Sequence, residues 1–268
     1  MGLKILQDTP PWEWPQDTAG KLLEVLRDKQ APESERLIAA DLSGDFVVIN
    51  DKLAEALLAV AGNAQESEDL RGRAAIALGP ALEQADLDDF EDPEDVPISE
   101  QTYRNILETL HRLFMDLSIP QEVRRRILEA AVRSPQDWHP GAVRTAYASD
   151  DESWNLTAVF CMRFVPGFND LILEALESNS KNIYYEAVCA AGNWELEAAW
   201  PHIAKILTSK KTNKPLMLAA IEAAVGIRST EAAMLLGNLM DSRDEEIAEA
   251  AYEAMAMVEA LLDEDSPV

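Results

Sequence analysis

The stretch from Tyr185 to Met255 contains one two-helix design written twice. The first copy reads Y-E-A-V-C-A-A-G-N-W-E-L-E-A-A-W-P-H-I-A-K-I-L from Tyr185, and the second reads L-A-A-I-E-A-A-V-G-I-R-S-T-E-A-A-M-L-L-G-N-L-M-D from Leu218. In each, a helix of small residues ends at a glycine (Gly192, Gly226), a short turn follows, and an apolar helix opens on Glu-Ala-Ala (Glu197–Ala199, Glu231–Ala233). A tandem repeat of this kind buries its apolar faces by packing each unit on its neighbours. The architecture is therefore legible here, while the activity is not.

Further copies of the first helix occur at Arg71–Gly79 and, more weakly, at residues 36–44 and 122–132. Helix ends recur near positions 44, 79, 132, 164, 192, 226 and 256, and only the step from 79 to 132 departs from a period of about 33 residues. The layout A-A-x-A-L-G, turn, E-A-x-P-x-L-x-x-L resembles the HEAT-like repeats of the phycobilisome-lyase type. The resemblance implies an all-α, right-handed α-solenoid of about seven HEAT-like helix pairs. It says little about activity, because that family mixes scaffolds, adaptors and a few chromophore lyases.

Residues 1–16 contain T-P-P-W-E-W-P and are expected to form a Pro/Trp-rich N-terminal cap over the first repeat. Residues 17–262 form the repeat body, and 263–268 a frayed tail. The long step holds an acidic loop insertion at 85–98: from Glu83 to Glu100 there are nine acidic residues and no basic one, with Pro93 and Pro97 among them. Asn50 or Asp51, Ser67 or Glu68, and Ser99 are placed to cap helices. Phe46–Ile49 has strand composition but no partner run, so a buried linker is expected.

The formal net charge is −26, from 49 acidic residues against 23 Lys and Arg. Direct binding to nucleic acid needs basic residues that release phosphate counterions, and docking on anionic lipid has the same requirement. The charge points instead to a protein partner with a basic surface. No apolar run approaches the roughly 20 residues that span a bilayer, and the N-terminus lacks a signal-peptide pattern, so a cytoplasmic protein is expected.

His111, His139 and His202 lie in different repeats without a second ligand at i+3 or i+4, so neither metal nor cofactor is expected. Cys161 and Cys189 read as small core residues. No nucleophile elbow or phosphate loop appears, and the chain is expected not to be an enzyme. Val123-Arg124 matches the V-R element of the resemblance, which implies that Arg124, like Arg71, reaches an acidic residue of the neighbouring repeat. Lys205, Lys210, Lys211 and Lys214 form a small basic spot.

Partner contacts are expected at two places. The acidic loop offers Asp86, Asp88, Asp89, Glu91, Asp92, Glu94 and Asp95, with Phe90 and Val96 as apolar anchors. The fifth repeat offers Trp194, Glu195, Glu197 and His202, on the side that second helices of such repeats turn to a ligand. The expected function is a protein-binding scaffold or adaptor. An inhibitor or immunity-type protein that occludes a basic nucleic-acid enzyme, or a chromophore lyase, are the alternatives.

Overall fold

The computed structural model describes residues 2–88, 90, 96–227 and 229–264. Among them there is no β-strand, and the chain divides into two compact units, Met1–Ala142 and Val143–Val268.

In the first unit α1 (Leu3–Gln7) and α2 (Thr18–Arg27) precede α3 (Glu33–Leu42), α4 (Asp51–Gly62), α5 (Glu68–Ile76), α6 (Gly79–Asp88), α7 (Glu100–Met115) and α8 (Gln121–Ala131). The small-residue helices stack in order, α3 on α5 and α5 on α8, and each intervening helix packs against the next member of that row, α4 on α5 and α7 on α8. The second unit takes most of α9 (His139–Tyr147), then α10 (Glu152–Cys161), α11 (Asn169–Ala175), α12 (Lys181–Asn193), α13 (Trp200–Thr208), α14 (Lys214–Ile227), α15 (Ser229–Leu239) and α16 (Glu245–Glu264). There α10 packs on α12, α12 on α14, and α14 on α16, with α13 on α14 and α15 on α16. This is the tandem helix-pair fold that the repeats imply.

Helix starts follow the side chains available to cap them. Asn50 Oδ1 accepts from the amides of Lys52 and Leu53 at 3.1 and 3.2 Å, and Ser67 and Ser99 accept at 3.3 Å from the amides three residues on. Leu22, Leu53, Leu57, Leu78, Leu82, Ile106, Leu110 and Ile127 form the first unit's fully buried core. Each contributes about 1.5–3 kcal/mol of transfer free energy. In the second unit alanines bring the rows together. A Cβ on Gly192 would lie 2.8 Å from both Cα and Cβ of Ala223, so α12 and α14 meet backbone to backbone at a point where only glycine fits.

Two expectations change at the long repeat step. The helix that begins at Gly79 runs through Asp88, so residues 85–88, read as the start of a loop, are helix. Val96 and Ile98 are buried, because the chain returns to the body there before Ser99 opens α7. Val96 is thus a core residue and not an anchor for a partner. Of Phe46–Ile49, the last two residues are buried and the first two exposed, in a turn between α3 and α4. At the N-terminus α1 packs on α3, its Leu6 is buried, and Trp14 Nε1 donates to the carbonyls of Leu6 at 3.1 Å and Thr9 at 2.9 Å.

Candidate functional site

The second unit carries an open groove of about 650 Å³, bounded by α9, the Pro166–Phe168 turn, the start of α11 and the end of α12. Trp194 closes α12 as its C-terminal capping residue, and its indole Nε1 donates to the carbonyl of Met162 at 2.6 Å. That bond fixes a half-buried ring on the groove wall. Phe168, only 2% exposed, forms the floor, and the Arg144 guanidinium lies over it with Cζ 5.1 Å from the ring centroid. Gly167 has φ +88°, and no heavy atom lies within 4 Å of where its Cβ would be, so the groove stays open at that point. Asp170 and Leu171 complete the wall. Arg144 forms no ion pair and no side-chain hydrogen bond with any described residue.

Of the fifth-repeat residues expected to face a partner, Trp194 lines this groove. Glu195 is exposed and holds φ +50°, with its side chain packed where a Cβ on Gly226 would sit 2.9 Å from its Cγ. Glu197 is exposed in a 3-10 turn ahead of α13. His202 turns to other groups: its Nε2 lies 3.3 Å from Glu177 Oε1, and its ring is 6.4 Å from that of Tyr184. Burial, then the nearby Glu177 charge, push the Tyr184 phenol above its ordinary pKa.

The acidic segment divides. Asp86 Oδ1 accepts from Ser134 Oγ at 2.8 Å and from Tyr103 Oη at 3.1 Å, which makes it an intramolecular anchor. Asp88 accepts from Gln84 Nε2 one turn earlier. Phe90 packs edge-on against the Tyr103 ring at 5.3 Å. Asp89, Glu91, Asp92, Glu94 and Asp95 lie outside the described residues.

Cys161 is buried and Cys189 half-buried, neither is in a disulfide, and burial raises the Cys189 pKa above its ordinary value. Among the described residues no group of three or more His, Cys, Asp or Glu is placed to hold a metal ion. No helix among them is long and apolar enough to cross a membrane. Lys214, one of the four lysines of the small basic spot, pairs with Asp244 at 2.8 Å and Glu246 at 2.5 Å. Sequence reading missed Arg144 and Phe168. The Pro166-Gly167-Phe168 turn was the available signal, but nothing along the chain ties it to Arg144 or Trp194.

No known family profile and no curated protein sequence matches the chain. Solved structures do. The complex of CpcE and CpcF of phycocyanin lyase from Nostoc sp. PCC7120 is 17% identical, covers 94% of this chain and 98% of its own, and superposes with a TM-score of 0.52. Escherichia coli YibA is 17% identical over 92% of this chain and 84% of its own, with a TM-score of 0.45. Human deoxyhypusine hydroxylase in complex with glycerol is 18% identical over 91% and 97%, with a TM-score of 0.40. The likeness to the lyase complex shows a shared fold, the HEAT-like helical repeat, and no more at that identity. The expectation that the chain is not an enzyme is corrected here. The phycocyanin lyase complex stands among the structures it matches, so the absence of a short catalytic motif does not set this chain apart from enzymes.

Proposed function

We propose that this is a protein-binding repeat protein whose partner presents a basic surface with an apolar centre. The observation that carries this is the outer stripe of α16. Glu245, Glu249, Tyr252, Glu253 and Met257 follow one another at helical spacing and are all exposed, Tyr252 at 55% and Met257 at 59%. Carboxylates flanking large apolar side chains complement a basic, amphipathic surface, with the charges steering encounter and the apolar pair supplying the desolvated contact. Exposed Glu195 and Glu197 and the acids of residues 89–95 extend the same character on a chain of net charge −26. The test is capture of a partner from the source lysate, followed by titration of the purified pair across salt concentrations. Affinity should fall as salt rises, and Tyr252→Ala with Met257→Ala should weaken it. A partner that is acidic, or binding indifferent to salt and to both substitutions, would sink this reading.

The likeness to the phycocyanin lyase complex favours a second reading, a chromophore lyase. Visible absorbance of the protein purified from its source, or transfer of a chromophore to an acceptor protein by the purified chain, would support it. A colourless protein inactive in transfer would remove it.

A further inference from the structure

We propose that the groove walled by Arg144, Phe168 and Trp194 binds a small aromatic carboxylate that also carries a hydrogen-bond donor. Many arginines on this acidic chain are held by carboxylates or main-chain oxygens: Arg36 pairs with Glu66, Arg73 with Asp41 and Asp69, Arg125 and Arg126 with Glu122 and Glu129, and Arg163 with Glu186, while Arg71 and Arg124 donate to the Ala61 and Phe114 carbonyls. Arg144 meets none among the described residues, although Asp170 lines the same groove. Its guanidinium is instead held over the Phe168 ring at 5.1 Å. A guanidinium lying over a ring keeps its in-plane N–H fork clear of that ring, in the geometry that receives a carboxylate through two parallel hydrogen bonds.

The other walls define the rest of the ligand. Trp194 is fixed by its 2.6 Å bond to the Met162 carbonyl and offers a pre-ordered aromatic surface for a planar ring. The space of about 650 Å³ falls within the range of about 300–1,000 Å³ common for small-molecule sites. Asp170 would repel a second anionic group and accept a hydrogen bond from an N–H or O–H. A monocarboxylate with a donor on its ring satisfies all three walls.

Indole-3-acetate, indole-3-acetamide and tryptamine keep the same ring and donor and differ in charge, so calorimetric titration of each into the full chain reads the contribution of Arg144 directly. Indole-3-acetate should bind about tenfold or more tighter than the amide, and tryptamine no tighter than the amide. Arg144→Gln should erase the preference for the acid while leaving the amide where it was. Asp170→Asn, which keeps an acceptor and removes a negative charge, should tighten the acid. Arg144 is exposed, so its replacement leaves the fold intact, and thermal melts of the variant verify this. Equal binding of acid and amide by the unsubstituted chain, a preference that survives Arg144→Gln, or no binding of any of the three at millimolar concentration overturns the proposal.

Discussion

Arg124 Nε donates to the main-chain oxygen of Phe114, ten residues earlier, at 2.7 Å. The same ten-residue step joins Arg71 Nε to the Ala61 oxygen and Arg36 Nη2 to the Leu26 oxygen, both at 3.0 Å. Each arginine is the fourth residue of its helix, and each acceptor is the last residue but one of a preceding helix. The final carbonyls of a helix have no partner of their own, so a buried guanidinium satisfies one of them while tying one repeat's end to the next repeat's start. The family resemblance implied arginines that reach an acidic neighbour. Arg36 does so, pairing with Glu66 at 2.5 and 2.9 Å, whereas Arg71 and Arg124 are placed by carbonyls. In the second unit Asn155, fourth in α10, takes the same place by donating to the Tyr147 and Ser149 oxygens at 2.8 Å.

Arg71→Met is expected to cost about 1–3 kcal/mol, because it keeps the volume but leaves the Ala61 carbonyl without its buried donor. Urea unfolding should show a lower midpoint at an unchanged slope. An unchanged midpoint would mean that water reaches this carbonyl and that the pin holds nothing.

Gly192→Ala should destabilise by about 1–3 kcal/mol, since the added methyl would lie 2.8 Å from Ala223 Cα and force α12 and α14 apart. Ala187→Leu, at a fully buried position of α12, belongs to the same range for the same reason. Combined, the two should cost less than their sum, because a single displacement of the helix relieves both. Strict additivity in denaturant titrations would show that the sites strain different contacts.

Burial, and then the charge of nearby His111, push the His139 pKa down from 6.5 to about 4. Its Nδ1 accepts from the Gln136 amide at 2.8 Å, so the neutral ring is the form the fold holds. Between those two values the unfolded chain binds a proton that the folded chain does not, so stability is lost as pH falls from about 6.5 toward about 4. The loss at this one site is on the order of 3 kcal/mol. Urea midpoints of the unsubstituted chain and of His139→Leu, compared at pH 7 and pH 5, isolate it: the variant should show the smaller drop. Equal drops would assign the acid sensitivity to carboxylates such as Glu66, whose pKa the bond to Arg36 lowers.

The repeat fold was legible because its signals are local: helical spacing of apolar residues, glycine at helix ends, and capping residues such as Asn50, Ser67 and Ser99 each act within a few positions of themselves. The candidate site was legible only where one residue stood out. Trp194 did, by size and by its place at a helix end. Arg144 and Phe168 did not, because their meaning arises from a contact across 24 residues that no periodicity encodes. Composition misled over residues 85–88 and at Val96, where acidity and proline suggested a solvated loop: the first are helix and the second is buried. An exposed carboxylate can also serve the fold as an acceptor, and Asp86 accepts from Ser134 and Tyr103.

The acidic segment should therefore separate into a part that holds the fold and a part that meets a partner. Asp86→Ala removes an acceptor shared by the hydroxyls of Tyr103 and the fully buried Ser134, which also meet each other at 2.7 Å. It should lower stability by about 1 kcal/mol while leaving the salt dependence of partner binding unchanged. Replacing Glu91, Asp92, Glu94 and Asp95 together by their amides keeps size and removes four charges. That variant should melt with the unsubstituted chain and bind a basic partner more weakly, with a shallower dependence on salt, because charges at a binding rim act mainly on encounter and are screened by ions. Thermal melts and salt-dependent titrations of the two variants decide the assignment. Melting lowered by the amide set, or binding lowered by Asp86→Ala alone, would reverse it.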